Sequence, residues 1–344
     1  MRKMERLIEL DALRGLAALS VMLYHYTTRY NQLFGHVKAN YFEFEYGNFG
    51  VQVFLIISGF VIFMTINKIK SVKEFALKRA VRLYPAYITS VILTFTLVSI
   101  FSLKGRETSL LEALFNLTML QGFIPFDLIP HVDGAYWSLK VELTFYFFMG
   151  CIFSLKLINK IEIPLIIWLS FAFILRGISL FSDNFIINAL MVYGILSYCH
   201  LFIAGIMFYM LRDTKKKSYY FIIFACLFYE FLYNGLFRGT VVLIFFSIFY
   251  MLISGKLGFI AKKPLIFLGT ISYSLYLIHQ NIGYIIINFM EKNGFVNEFY
   301  ILIPILISIG LATAITFLIE KPLQNMIISK SKSRKNIDNQ IVNL

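Results

Sequence analysis

The sequence predicts an all-α fold, a polytopic membrane helix bundle with ten transmembrane helices and both termini in the cytoplasm. Of the 344 residues, 59% are hydrophobic and 15% are charged, whereas a soluble domain carries about a quarter charged residues. Ten apolar segments approach the roughly 20 residues that a helix needs to cross a bilayer. With these spans, 23 of the 32 Lys and Arg residues fall in cytoplasmic segments, as the positive-inside rule requires. The composition excludes a soluble enzyme, and the net charge of +13 reflects topology rather than a nucleic-acid partner.

The predicted spans cover residues 10–29, 50–67, 83–103, 136–156, 163–181, 185–211, 218–236, 239–255, 264–290 and 299–320. Segment 107–123 is short and polar, so we expect an interfacial or re-entrant helix there. A cleaved signal peptide is the alternative for the N-terminus, but Asp11 and Arg14 interrupt the apolar stretch and favour a mature helix. We expect a membrane-embedded domain over residues 1–325 and a basic polar cytoplasmic tail over residues 326–344.

The first span carries two ionisable residues, Arg14 and His25. Eleven residues make three helical turns plus roughly 20°, so both side chains share one face about 16 Å apart along the axis. Ionisable groups inside a bilayer are costly and point to function. The alternative is that His25 is a structural histidine whose hydrogen bonds are satisfied within the protein. The alignment of His25 with Arg14 favours a functional role.

The fourth span runs inward and places Glu142 roughly 9 Å below its outer end, at nearly the depth of His25. A carboxylate beside a histidine fixes its tautomer and raises its basicity, so we expect Glu142 to orient His25. The alternative is a buried polar pair that joins two helices. Lys140, in the same span, is interpreted as a snorkelling interfacial residue.

A basic helical face precedes the third span. Lys78, Arg79 and Arg82 are spaced three or four residues apart, which puts them on one face of a helix. Arginine matches the geometry of phosphate groups, so this face is a candidate site for a phosphate-bearing cytosolic ligand. Ordinary anchoring to anionic lipid is an equally strong alternative.

Other polar residues interrupt the later spans without forming a metal-binding motif. Ser58 is typical of close helix packing, Tyr273 stands beside Ser272, and His279 falls near the level of His25. His200 and Glu230 have no assigned role. No spacing of His, Cys, Asp or Glu matches a known metal motif, and the three cysteines lie in apolar runs. We therefore expect neither a metal site nor a tightly bound cofactor.

Six motifs resemble, in order, those of the acyltransferase family 3 of integral membrane proteins. They are LRGLAALSVMLYH, FLIISGF, KRAVRLYP, YWSLKVELTFYF, SYSLYLIH and EKPL, and they cover residue 9 to about 324. The resemblance implies a ten-helix enzyme that moves an acyl group, usually acetyl, from cytosolic acyl-CoA to a saccharide hydroxyl. Acceptors in the family include O-antigen, exopolysaccharide, peptidoglycan and lipid-linked saccharides. Lys140 departs from the pattern, and we expect no appended extracytoplasmic hydrolase-like domain.

By this resemblance, the family's arginine and histidine of the first helix fall on Arg14 and His25. Its basic pair falls on Arg79 and Arg82, and its Trp-Ser-Leu-x-x-Glu motif on Trp137, Ser138 and Glu142. We therefore expect His25, Glu142 and Arg14 to be catalytic. Arg79 and Arg82, with Lys78, would bind the CoA phosphates.

Supporting residues are expected around this set: Ser58, Tyr136, Trp137, Tyr273 and His279. Tyr136 and Trp137 would meet the sugar at the outer mouth, although anchoring in the aromatic belt explains them equally well. His25 would act as general base or carry a transient acyl group.

The expected partners are acyl-CoA as co-substrate, a saccharide or lipid-linked saccharide as acceptor, and the lipid bilayer of a bacterial plasma membrane. The rival hypothesis is a multi-span exporter of a small or acylated substrate. The lack of an evident repeat or of paired broken helices counts against a transporter. A non-catalytic scaffold is a third possibility.

Overall fold

The structure, a computed structural model, describes residues 7–38, 42–66, 68–125, 128–297 and 299–329. The described residues form helices and no strand, which confirms the predicted all-α class. Residues 330–344, most of the predicted cytoplasmic tail, lie outside the described residues.

The helices are α1 (Ile8–Tyr24), α2 (Tyr30–Phe34), α3 (Gly50–Ile66), α4 (Val72–Phe101), α5 (Leu110–Asn116), α6 (Trp137–Ser154), α7 (Glu162–Ser179), α8 (Phe185–Tyr193), α9 (Cys199–Asp213), α10 (Lys217–Ile253), α11 (Lys263–Lys292) and α12 (Leu302–Ala314). A π-helical turn, His25–Arg29, joins α1 to α2, and a second one, Ile315–Glu320, extends α12. Short 3-10 turns connect several of the others.

Within the described residues, five helical segments are long and apolar enough to cross a membrane, namely Glu45–Ile66, Val72–Phe101, Glu162–Ser179, Lys217–Ile253 and Leu302–Ser329. The chain is therefore an integral membrane protein. The total of ten spans and the cytoplasmic position of the termini stay predictions.

Helix α10 holds two of the predicted spans. At Gly235 the backbone takes φ 86° and ψ 172°, a conformation that glycine adopts readily and other residues rarely. A Cβ placed on Gly239 would lie 2.3 Å from the ring of Phe231. In a straight helix the backbones of these two residues, eight positions apart, would be separated by about 12 Å, so the chain must bend between them. The segment therefore breaks at Gly235 into two helices, close to the boundary predicted between spans 218–236 and 239–255.

The predicted span 185–211 is not one helix. It divides into α8 and α9, with Ile195 between them in the left-handed region at φ 47°. The indole N–H of Trp168 donates to the carbonyl of Gly194 at 3.2 Å and satisfies one backbone group at the break. The apolar run continues through the turn, so hydropathy alone did not reveal the break.

The basic helical face predicted before the third span is the first part of α4. Ser71 caps this helix, because its hydroxyl accepts the N–H of Glu74 at 3.2 Å. The helix then continues through Pro85 to Phe101. Segment 107–123 contains the short helix α5, with a capping box between Ser109 and Glu112; its position at the membrane interface stays a prediction.

Two tight helix crossings organise the bundle around α1, α3, α9 and α11. A Cβ on Gly269 of α11 would lie 1.8 Å from the carbonyl oxygen of Asp11 in α1. A Cβ on Gly59 of α3 would lie 2.1 Å from the carbonyl oxygen of Phe202 in α9. Small residues let helix backbones approach this closely, so α11 is the neighbour that faces the polar residues of α1.

Candidate active site

A cavity lies among α1, α3, α4, α6 and α11, with about 760 Å³ of empty volume including its opening. Its polar and charged lining residues are Arg14, Ser58, Arg79, Arg82, Ser138, Glu142, Tyr146, Ser272, Tyr273 and Tyr276. The first-span arginine and the two arginines of α4 therefore share one chamber. Arg14, predicted as a catalytic residue, thus lies with the arginines predicted to bind phosphate.

The three guanidinium groups give this cavity a cationic character. In the described part of the chain, no carboxylate oxygen lies within 4 Å of any of them. Arg79 donates to the hydroxyl of Thr65 at 3.3 Å and lies over the rings of Phe75 and Tyr146 at 5.6 and 5.7 Å. The aromatic faces hold its guanidinium by cation–π attraction and do not neutralise its charge. Such a chamber suits an anion with several phosphate oxygens.

Lys78 lies apart from this cavity. Its ammonium group pairs with Glu74 at 3.0 Å, and 49% of its side chain is exposed. The prediction that Lys78 binds the same ligand as Arg79 and Arg82 has no support in this geometry, because Lys78 points to the surface rather than into the chamber.

Glu142 lies in the cavity wall and does not contact His25. Its carboxylate accepts hydrogen bonds from the hydroxyl groups of Tyr146 and of Ser58, the latter at 3.4 Å. The prediction that Glu142 orients His25 is therefore wrong. Equal depth in the membrane does not determine which neighbour a side chain faces, and α1 packs against α11, whereas Glu142 faces α3.

The partner of His25 comes from α11. The Nδ1 atom of His25 lies 2.9 Å from the hydroxyl of Tyr284, and its ring packs edge-on against that of His279, with centroids 4.9 Å apart. His25 is the first residue of the π-helical turn, an element found frequently at functional sites. The structure thus joins two of the sequence-predicted histidines, His25 and His279.

His279 has a fixed tautomer. Its Nδ1 lies 2.8 Å from the carbonyl oxygen of Tyr276, which can only accept, so Nδ1 carries the hydrogen. Nε2 is buried and has no hydrogen-bond partner among the described residues. A neutral imidazole with a free Nε2 lone pair can accept a proton, which is the requirement for a general base.

Tyr276 lies between the cavity and His279. It lines the cavity, and its ring lies 5.6 Å from that of His279. Its hydroxyl bonds with Ser138 at 2.8 Å and donates to the carbonyl of Ala135 at 3.1 Å. Since His279 follows Tyr276 by three residues, it lies about 4.5 Å farther towards the C-terminal end of α11. Tyr273, about one turn towards the N-terminal end, also lines the cavity and donates to the carbonyl of Leu83 at 3.0 Å.

The two aromatic residues predicted at the outer mouth differ in position. Trp137 is 38% exposed at the protein surface, and its ring contacts that of Tyr198. Tyr136 is fully buried and packs against Tyr87 at 5.2 Å. The prediction that Tyr136 faces an acceptor is wrong, because the 3-10 turn Gly134–Tyr136 turns its side chain into the bundle.

Asp133 fastens this turn to α11. Its carboxylate accepts the N–H of Ala135 at 2.9 Å and that of Asn281 at 3.0 Å. Burial raises the pKa of Asp133 to about 6, and these hydrogen bonds together with the charge of Arg106 oppose the rise. The contact holds the segment before α6 close to His279, two residues before Asn281.

Sequence reasoning missed Tyr146, Tyr276 and Tyr284 as polar partners of the site. The spacing of Tyr276 from His279, one helical turn, was a usable signal. Tyr284 carried no such signal, because tyrosines are common in these spans.

His200 and Glu230 form a separate buried pair at 2.8 Å. Within the described residues, no group of three or more His, Cys, Asp or Glu could hold a metal ion.

Comparison with known proteins matches residues 7–320 to the model of an acyltransferase domain. The chain belongs to the acyltransferase 3 family. It is 26% identical over 292 residues to ORF330 of the Acidianus two-tailed virus, a protein named as an acetyltransferase; the match covers 78% of this chain and 80% of that one. The family assignment agrees with the resemblance in the six motifs, and this member of the family is an acyltransferase.

A second relative comes from Haemophilus influenzae and has a name that states no function. It is 31% identical over 153 residues, which cover 39% of this chain and 62% of that protein. No solved structure matches the chain significantly. The comparisons therefore establish the family and the type of reaction.

Proposed function

We propose that this acyltransferase transfers an acyl group, most often acetyl, from cytosolic acyl-CoA to a hydroxyl of a cell-surface or lipid-linked saccharide at a bacterial plasma membrane. The observation that carries the proposal is that a three-arginine cavity is lined by Tyr276, whose ring packs against His279, which in turn packs against His25.

The donor end of this arrangement is the arginine cavity. CoA carries several phosphate groups, and Arg14, Arg79 and Arg82 would bind them through paired N–H donors. Arg79 and Arg82 lie in the first turns of α4, which the charge distribution assigns to the cytoplasmic side. The roughly 16 Å between Arg14 and His25 is of the order of an extended pantetheine arm, which would carry the thioester towards the histidines.

The reacting end is the histidine pair. A histidine nitrogen takes the proton from the acceptor hydroxyl while the oxygen attacks the thioester carbonyl. The new carbon–oxygen bond forms, the carbon–sulfur bond breaks, and CoA leaves as a thiolate that takes up a proton. Tyr284, at 2.9 Å from His25, would orient that ring. Transfer through an acyl-histidine follows the same path in two steps.

The acceptor would approach from the opposite side of the membrane. The predicted topology puts Trp137 on that side; its side chain is 38% exposed, and an indole offers a flat apolar face to a sugar ring. Lys140 lies 4.4 Å over the ring of Tyr193 and 5.9 Å over that of Phe123, so its charge is held close to this surface. O-antigen and exopolysaccharide are the acceptors that we propose to try first.

The proposal is tested with purified protein in lipid nanodiscs, radiolabelled acetyl-CoA and a saccharide acceptor. We expect label on the saccharide with the wild type, and loss of at least about 100-fold in transfer for His25→Ala, in line with the contribution of a general base. His131→Ala is the control, because this histidine bonds Gln121 in the outer loop segment and is not part of this arrangement. Full activity of His25→Ala would refute its catalytic role. Movement of a labelled solute into proteoliposomes of the same protein, without acyl transfer, would favour the exporter.

A further inference from the structure

A buried ion pair outside the site contacts the backbone of the π-helical turn. The Nδ1 atom of His36 lies 2.8 Å from Oε1 of Glu291, and their side chains are 1% and 5% exposed. On the other side of the ring, Nε2 lies 3.2 Å from the carbonyl oxygen of Tyr26 and 3.0 Å from that of Thr27. The pair therefore connects the end of α11 to the turn that begins at His25.

Both ring nitrogens of His36 have hydrogen-bond partners. Carbonyl oxygens only accept hydrogen bonds, so Nε2 donates to the turn. Nδ1 lies against Glu291 and also 3.0 Å from the hydroxyl of Tyr300. Glu291 also accepts from the hydroxyl groups of Tyr300 at 2.5 Å and of Tyr30 at 3.4 Å. Hydrogen bonds to an ionised carboxylate are stronger than those between neutral groups.

The π-helical turn needs such support more than an α-helix does. Its wider hydrogen-bonded ring is uncommon, and it occurs mostly as single turns within α-helices. Tyr26, within the turn, donates to the carbonyl of His279 at 2.9 Å and bonds Ser308 at 2.7 Å. His36 contacts the backbone of the same turn, at the carbonyl oxygens of Tyr26 and Thr27. A shift of the turn by one residue would rotate each side chain by about 100° and move His25 away from Tyr284 and His279.

We propose that His36 and Glu291 are positioning residues for acyl transfer, which hold the register of the π-helical turn and thereby keep His25 against Tyr284 and His279. The inference rests on the proposed function. The pair is expected to affect kcat and to leave the KM for the acyl donor unchanged, since neither residue lines the arginine cavity.

The chain offers a matched control in its second buried histidine–glutamate pair. His200 and Glu230 are also 2.8 Å apart and are 1% and 2% exposed, and they join α9 to α10. Asn234 donates to Glu230 at 2.8 Å. The two pairs therefore match in residue type and in burial, although neither ring nitrogen of His200 makes a hydrogen bond among the described residues. Of the two pairs, only His36–Glu291 contacts the turn of His25.

The experiment measures kcat, KM for acetyl-CoA and the midpoint of thermal unfolding for Glu291→Gln and Glu230→Gln in nanodiscs. We expect Glu291→Gln to lower kcat about 10- to 100-fold, the size of loss that a small misplacement of a reacting group causes, and to leave KM within about twofold. We expect Glu230→Gln to retain kcat at a comparable change in the unfolding midpoint. Tyr300→Phe, which removes one donor to Glu291, is the mild second variant and should lower kcat by a smaller factor.

Two results would overturn the inference. One is an unchanged kcat in both Glu291→Gln and Tyr300→Phe. The other is a loss of kcat in Glu230→Gln equal to that in Glu291→Gln, which would make the effect general destabilisation. If Glu291→Gln does not fold, Tyr300→Phe decides between these outcomes. An inactive wild type would refute the proposed function instead, so the two failures are distinguishable.

Discussion

At the scale of single residues, the position of a basic side chain relative to the arginine cavity distinguishes a proposed ligand-binding residue from one that only contributes to membrane topology. Arg82 and Lys78 lie one turn apart on α4 and carry the same charge, yet Arg82 lines the cavity and Lys78 pairs with Glu74 at the surface. Anchoring to anionic lipid would involve both Arg82 and Lys78. Phosphate binding in the cavity would involve Arg82 but not Lys78.

We predict that Arg82→Ala raises KM for acetyl-CoA about 10-fold or more, because a hydrogen bond to a charged group is worth about 1.5–3 kcal/mol. Lys78→Ala should leave KM within about twofold. Steady-state kinetics over a range of acetyl-CoA concentrations give both values. An equal effect of the two variants, or a fall in expression with unchanged KM, would mean that the basic face only anchors the protein.

Charged residues of the cavity could be singled out from the sequence, whereas their partners could not. Arg14, Arg79 and Arg82 were each noted because charge inside or beside a span is conspicuous. The partner of His25 could not be read, since depth along a helix leaves its rotation and its neighbours open. Glu142 therefore looked suitable, while Tyr284, 259 residues away along the chain, gave no signal in an aromatic-rich sequence.

At the scale of helices, the contact between α1 and α11 positions the reacting residues. His25 belongs to the end of α1, and His279 and Tyr284 belong to α11, so their separation depends on how closely the two helices cross. That crossing passes through Gly269, where a Cβ would lie 1.8 Å from the carbonyl oxygen of Asp11 and 2.5 Å from its carbon. A side chain there must push the two backbones apart.

We predict that Gly269→Ala lowers stability by about 1–3 kcal/mol, the usual cost of overpacking, and lowers acyl transfer as well. Gly310→Ala in α12 is the control, because a Cβ there meets no atom within 4 Å, and alanine favours a helix by roughly 0.5–1 kcal/mol over glycine. Thermal unfolding in detergent should show a lower midpoint for the first variant and an unchanged or higher one for the second. The opposite order would contradict the close crossing.

Helix boundaries could be predicted only approximately. The boundary predicted between spans 218–236 and 239–255 falls close to Gly235, where the backbone of α10 breaks. The break between α8 and α9 falls in GILSY, inside an apolar run, and Gly194 alone did not mark it as a boundary. Hydropathy indicates whether a segment lies in an apolar environment. At Ile195 the chain changes direction through a left-handed residue while it stays in an apolar environment, so hydropathy does not mark the turn.

At the scale of the whole molecule, charge and hydropathy predict orientation, whereas packing between distant helices needs the structure. No composition signal pairs α1 with α11 or α3 with α9, because helices in lipid associate through shape and small residues rather than through a hydrophobic difference. The proposed reaction depends on orientation as well as packing, since donor and acceptor would enter from opposite sides. Helix α4, with 30 residues, extends about 45 Å, enough to carry the chain from one surface to the other.

We predict that Lys215 faces the cytoplasm and Lys104 the outer side. Both are exposed and lie in short connections, Lys215 between α9 and α10 and Lys104 after α4. In a background with the three native cysteines replaced by serine or alanine, a membrane-impermeant maleimide should label Lys104→Cys in intact spheroplasts. It should label Lys215→Cys only after the membrane is permeabilised, because the basic cluster around Lys215 stays on the cytoplasmic side. The cysteine-free protein controls for background labelling. If Lys215→Cys reacts in intact spheroplasts, the arginine cavity faces outward, and cytosolic acyl-CoA cannot be its ligand.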